Sequence, residues 1–458
     1  MQLPTLGNAI VKKLFVCNVV PRIALLCVAF FAAPAVYADV VYNVNTTADL
    51  PDDGLGLITC HTSAGTCSLR AAIMKANQFD GNSIITVPAG TYTLTIPPSG
   101  TDGDDSGDLN FATPIQPFEQ ITVIGAGAGR TIIDANQIDR AIDVSAGRFA
   151  GLVNLTIRNG VILGANGGGI RNAGFTAILG CVIEANNTYA SGSLGNGAGI
   201  YSSGPLSVSR STIRDNNVQG VANGGGIAVF ASADIRESTI YGNVARNGGG
   251  IFVTSFIPSV IVVNSTISGN AAYNDGGGIY SVDSFSGDVV GLYNTSVIGN
   301  DASSDSDKIG RGGGIYALFG NGAAFYIVNT LIANNTNNGR AAFDDCIGNV
   351  AAYGYNLFSQ AVPQGCVISG NGSAAWGEVS LVTIGPLQDN GGPTLTHALL
   401  QNSEAINGTL NQGCVDSDGS TLITDQRGAG PRGTGRTCDV GAFEYGAIID
   451  HIFGDGFQ

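Results

Sequence analysis

Asn247-Gly248-Gly249-Gly250-Ile251-Phe252, Ser265-Thr266-Ile267-Ser268-Gly269-Asn270 and Asp275-Gly276-Gly277-Gly278-Ile279-Tyr280 follow one another in the middle of the chain and set a pattern that runs from about residue 150 to 340. Glycine punctuation ends in Ile170, Ile200, Ile227, Ile251, Ile279 and Ile315, and a strand-like piece ends in Asn186, Asn216, Asn243, Asn270, Asn300 and Asn335. The period, 24 to 36 residues, means one supersecondary unit per repeat, stacked on its neighbours. The pieces are short, rich in Ile, Val, Thr and Ser, and bounded by Gly or Asn, so they read as strands joined by tight turns. No regular leucine columns favour a leucine-rich repeat, and the strands are too short for propeller blades. The expected fold is all-β: a right-handed parallel β-helix, the solenoid on which pectate lyases are built.

Equivalent residues of successive coils then stack about 4.8 Å apart and form columns. The repeat isoleucines, with Ile183, Ile213, Ile240, Ile267, Val297 and Ile332, form inward aliphatic ladders. Asn154, Asn264, Asn294 and Asn329 recur where a stacked amide could satisfy turn backbone. By strand alternation the residue after each ladder isoleucine faces outward: Arg171, Tyr201, Ala228, Phe252, Tyr280 and Tyr316. A second outward column reads Arg158, Glu184, Arg214, Tyr241, Ser268, Ile298 and Ala333. As a binding site these columns form a shallow platform, with sugar faces stacked on Tyr201, Phe252, Tyr280 and Tyr316 while Arg158, Glu184 and Arg214 hold hydroxyl or carboxylate groups. As a structural feature they are a solvated β-face in which aromatics suit strands.

Composition agrees with a turn-rich solenoid. Of 458 residues 68 are Gly, and charged residues make up only 12%. The net charge of -15, without any basic run, excludes nucleic acid as a partner. Residues 1–38 read as a secretory signal: Lys12, Lys13 and Arg22 precede the apolar run from Ile23 to Ala33, and Val36-Tyr37-Ala38 supplies a cleavage site. No transmembrane segment is expected after its removal, and the product is secreted or displayed at the surface of a bacterial cell. Export makes disulfides reasonable, and six cysteines fall into the local couples Cys60/Cys67, Cys346/Cys366 and Cys414/Cys438. Cys181 is left over, in a position where neighbouring repeats carry Ser211 and Ser238, and reads as a small buried residue.

Cys67-Ser68-Leu69-Arg70-Ala71-Ala72-Ile73, followed by Ala76-Asn77, resembles the motif that names the CSLREA domain of bacterial exported proteins, with Ala71 in place of its Glu. Leu69, Ala72, Ile73 and Ala76 follow helical spacing behind a possible cap, Ser68, so a short helix is expected to cover the open N-terminal end of the solenoid. Gly385-Pro386-Leu387, Asn390-Gly391-Gly392-Pro393-Thr394-Leu395-Thr396-His397, Asp425-Gln426-Arg427-Gly428 and Cys438-Asp439-Val440-Gly441-Ala442-Phe443-Glu444 resemble the choice-of-anchor Q domain that often accompanies CSLREA. That resemblance implies surface attachment. It departs from the pattern at Glu404 and Asn407. The middle repeats are similar to those of polymorphic outer-membrane proteins, but no series of barrel strands follows residue 380. The expected divisions are a signal (1–38), an N-terminal cap with the first coils (39–110), the β-helix repeats (111–345), an anchor-Q-like region (346–446) and a tail (447–458).

Enzymes of this fold need placed carboxylates or a basic residue with calcium. His61, His397 and His451 stand in no Gly-His-Gly setting, and Asp344-Asp345 abuts Cys346, as a structural loop would. No catalytic residue is assigned. Calcium is the candidate cofactor, with Asp102, Asp104, Asp105 and Asp108 as hard oxygen ligands in an Asp/Gly loop. The leading expectation is an adhesin-like or glycan-binding scaffold whose partner is a polysaccharide or a host or cell-surface glycan. The alternatives are an extracellular polysaccharide lyase or glycoside hydrolase acting on acidic glycans, and a purely structural envelope protein.

Overall fold

The computed structural model describes residues 39–449, except 55–57, 100–102, 118, 191, 193–194, 255–258, 284–288, 306–308, 320–323, 338–343, 361–364, 371–374, 410–412 and 434–436. The expected signal (1–38), Asp102, His451 and most of the expected tail lie outside these residues. One coil shows the plan: Ile251–Val253 and Ser259–Val263 belong to a long sheet, Thr266–Ser268 to a second and Ala271–Ala272 to a third. Each strand pairs in parallel with its equivalent one coil on, as Ile251 with Ile279, Ile267 with Val297 and Val244 with Ala271. The result is a right-handed parallel β-helix, the hand that parallel crossovers take.

Two aliphatic columns fill the interior. In one, Ile142, Ile170, Ile200, Ile227, Ile251, Ile279 and Ile315 follow in register and lead to Cys346. In the other, Ile157, Ile183, Ile213, Ile240, Ile267, Val297 and Ile332 lead to Phe358. All of these are buried, and each aliphatic side chain contributes about 1.5–3 kcal/mol of transfer free energy.

A polar column runs beside them. The amide Nδ2 of Asn186, Asn216, Asn243, Asn270 and Asn300 each donates to Oδ1 of the next ladder asparagine at 2.9 Å. This explains the glycine triplets. The first glycine of each sits at positive φ, as in Gly248 (63°) and Gly276 (69°). A Cβ on the third, Gly226 or Gly250, would lie 3.1 or 3.0 Å from an asparagine Nδ2 of the ladder.

The helix α1 (Leu69–Gln78) starts at Ser68, whose side chain accepts from the Ala71 amide, and it buries Leu69, Ala72, Ile73 and Ala76 over the first coils. Buried ion pairs, Arg70 with Asp49 and Lys75 with Asp52, tie it down. All three expected disulfides are present: Cys60–Cys67, Cys346–Cys366 and Cys414–Cys438. Cys181 is buried.

Parallel rungs continue beyond residue 345, through Cys346–Tyr353, Cys366–Gly370 and Ala375–Glu378. The segment after them returns along the side of the solenoid. There it meets the turn column, which has positive φ at Arg210, Glu237, Asn264, Asn294 and Asn329. Asn264, Asn294 and Asn329 donate their amides to the carbonyls of Thr424, Val415 and Gly413. The expected amide stack over turn backbone is therefore mostly spent on this returning strap. Arg210 and Glu237, earlier in the column, pair with each other at 2.6 Å instead.

Candidate functional site

The outward column of the long sheet is in register over eight coils: Asn110, Asp143, Arg171, Tyr201, Ala228, Phe252, Tyr280 and Tyr316. Ala228 leaves a gap that Phe230, two residues further on the same face, fills. Ring centroids are 5.1 Å apart from Tyr201 to Phe230, 6.0 Å from Phe230 to Phe252, 5.4 Å from Phe252 to Tyr280 and 5.1 Å from Tyr280 to Tyr316. The last two pairs are stacked, with interplanar angles of 10° and 0°. Phe230 was missed in the sequence although Ile227 and Val229 point inward and alternation puts it outside.

This geometry corrects the expected platform. Ring faces are turned toward one another along the solenoid axis, so no flat face is left in the stacked pairs for a sugar. Phe252 is 7% exposed and Tyr316 5%. What the stripe offers is ring edges and hydroxyl groups, chiefly at half-buried Tyr201, Phe230 and Tyr280. Burial pushes the Tyr201, Tyr280 and Tyr316 hydroxyls above the usual tyrosine range.

At its N-terminal end the stripe becomes charged. Arg171 donates to Asp143 at 2.8 Å, and Arg140, buried behind them, holds Asp143 at 2.7 Å and Asp108 at 3.2 Å. At the other end Arg311 donates to the Tyr316 hydroxyl at 3.2 Å.

Arg158, Glu184 and Arg214 form the expected column, but on the second sheet rather than beside the rings. Their charges are used in local ion pairs: Arg158 pairs with Asp134 on the neighbouring rung at 2.8 Å, and Arg214 with Glu184 on the neighbouring rung and with the adjacent Asp215. Further along, the strap covers this column, where Ser268 meets His397 Nε2 at 2.9 Å and Ile298 and Ala333 pack with Val440 and Phe443. The two columns therefore do not make one site.

In the acidic loop two of the expected calcium ligands have partners within the protein. Asp108 is engaged by Arg140, and Asp104 accepts from Asn77 at 2.9 Å. Among the described residues only Cys414, Cys438 and Glu444 bring three ligand-type side chains within 4.8 Å of one another, and both of those sulfurs are in a disulfide. Asp345 of the adjacent acidic pair is structural: it accepts from Asn335 Nδ2 and, at 2.7 Å, from the Ser359 amide. Asp344 accepts from the Gly312 amide at 2.8 Å. His61 pairs with Asp53 at 2.7 Å, and His397 is buried with Nδ1 on the Gly385 carbonyl.

No helix among the described residues is long and apolar enough to cross a membrane. No family model matches the chain, and no curated protein sequence is similar to it. Among solved structures the chain is similar to the crystal structure of pectate lyase Pel9A, with 16% identity and a TM-score of 0.46 over 89% of this chain and 96% of that one.

Proposed function

We propose that the chain is an exported β-helix scaffold that binds a carbohydrate polymer on the outer face of its long sheet and does not cleave it. The observation that carries this reading is one continuous stripe on a rigid face: five rings from Tyr201 to Tyr316, joined at one end to the Asp143–Arg171 pair. Ring edges, phenol hydroxyls and a partly exposed guanidinium are the groups that hold sugars by hydrogen bonds and CH contacts. Three disulfides support an oxidising, extracytoplasmic setting. The residues that resemble CSLREA and choice-of-anchor Q domains support display at a cell surface.

The competing reading is a lyase or hydrolase of acidic glycans. Its candidate groups are Asp143, Arg140 and Arg171, and each is committed to an ion pair with another. A general base needs a lone pair or a deprotonated nitrogen, which these arginines do not supply at neutral pH. Co-sedimentation with insoluble polysaccharides tests the binding reading. The chain is expected to be retained on at least one polymer, and Arg171→Ala combined with Tyr201→Ala to weaken retention at least about tenfold. Equal retention of the double variant would contradict it.

A further inference from the structure

A second polar ladder runs beside the ring stripe. It consists of Asn166, Asn196, Asn223, Asn247, Asp275 and Arg311, the residue before the glycine triplet, or its equivalent, in successive coils. Asn166 Oδ1 accepts from the Asn196 amide at 2.9 Å, Asn196 Oδ1 from the Asn223 amide at 3.0 Å, and Asn223 Oδ1 from Asn247 Nδ2 at 2.8 Å. Asn247 Oδ1 accepts from the Asp275 amide at 3.2 Å, and Asp275 Oδ1 from the Arg311 amide at 2.9 Å. Every Oδ1 is thus fixed by the next rung, and each amide group keeps its side-chain N–H bonds at one orientation. Unlike the deep ladder ending at Asn335, this one is largely half-buried. At its far end it touches the stripe, through Arg311 to the Tyr316 hydroxyl at 3.2 Å.

Over the three coils of Asn196, Asn223 and Asn247 the two ladders form a strip with one amide and one ring per coil, repeating about every 4.8 Å. That repeat is close to the advance per residue of an extended, equatorially linked pyranose chain. Charge selects further. The central rungs, Asn196, Asn223 and Asn247 beside Tyr201, Phe230 and Phe252, carry amides and rings, and the charged groups around them are of mixed sign: Asp143 and Arg171 on one side, and Arg246, next to Asn247, with Asp275 and Arg311 on the other. The whole chain carries -15, which repels polyanions.

We infer that the ligand is an uncharged, extended polysaccharide lying parallel to the solenoid axis, about one sugar per coil, hydrogen-bonded by the half-buried Asn166, Asn223 and Asn247. This rests on the carbohydrate-binding reading above and gives it a ligand class and a direction. Calorimetry of the purified chain with length series of an uncharged β-1,4-glucan, an uncharged β-1,4-mannan and a polyuronate tests it. Affinity for one uncharged series should rise roughly three- to tenfold per added sugar over about four sugars and then level off. Asn223→Asp keeps the oxygen that Asn247 uses, so its thermal midpoint should match the parent while uncharged-oligomer affinity falls about tenfold. Preference for the polyuronate, no dependence on length, or an unchanged Asn223→Asp affinity would overturn the inference while leaving carbohydrate binding in place. No binding to any of the three would overturn both.

Discussion

The Asn335 side-chain amide donates to Asp345 Oδ1 at 3.0 Å, and with that bond the ladder of buried asparagines ends on a carboxylate. The change of residue follows from position. Each earlier asparagine donates to the next rung, whereas the last rung has to accept from Asn335 and from the Ser359 amide. Burial pushes the Asp345 carboxyl up to about 6 from 3.8, against the hydrogen bonds from Asn335 and Ser359.

A raised carboxyl favours its neutral form in the folded chain. The stability it contributes is complete below about pH 4 and is lost as pH rises through about 6, on the order of 3 kcal/mol in all. Glu444, pushed up to about 7 by burial and then by Asp439, acts in the same direction. Urea midpoints at pH 5 and pH 7 check this: Asp345→Asn should gain on the parent as pH rises. Parallel profiles for the two proteins would contradict the assignment.

Asn243→Ala removes the acceptor used by Asn216 and the donor to the Ile213 carbonyl in one step. It should cost about 3–5 kcal/mol, because several buried partners lose their bonds together. Asn154→Gly, at a turn with φ of 56°, should cost about 1 kcal/mol or less. Equal costs would mean that the ladder is not an energetic unit.

Arg432 is buried and holds the strap to the solenoid, donating to Asn264 Oδ1 at 2.7 Å and to the Asp439 carbonyl at 3.3 Å. Arg432→Met is predicted to free the strap. Limited proteolysis should then cut within residues 384–447 well before the coils, whereas the parent should resist at both places. Unchanged cutting would place the docking energy elsewhere.

Burial pushes the Cys181 thiol up to about 12. Alkylation by iodoacetamide at pH 8 should be undetectable in the folded chain and complete in denaturant. Modification under native conditions would show that the column opens.

The coil was legible because each rung repeats the same requirement. Ile251 and Ile279 fill equivalent interior positions, and the third glycine of a triplet clears the asparagine ladder, so one spacing carried the fold. The helix at Ser68 to Ala76 was legible for the same local reasons, a cap and helical spacing. Alternation separates inside from outside but not one face from another, which is why Arg158, Glu184 and Arg214 were grouped with rings that lie on a different sheet. It also gives no ring orientation, so the self-stacking of Tyr280 on Tyr316 could not be read. The strap was illegible because contacts such as Arg432 with Asn264 join distant residues that belong to no repeat.

Hydrogen exchange with and without a retained polysaccharide locates the bound polymer, on the long sheet's outer face or elsewhere. Protection is predicted in 171–172, 201–203, 228–230, 252–253 and 279–281 across successive coils, with no new chain ends released from the polymer. Protection confined to the second sheet or the strap, or release of reducing or unsaturated ends, would contradict the account.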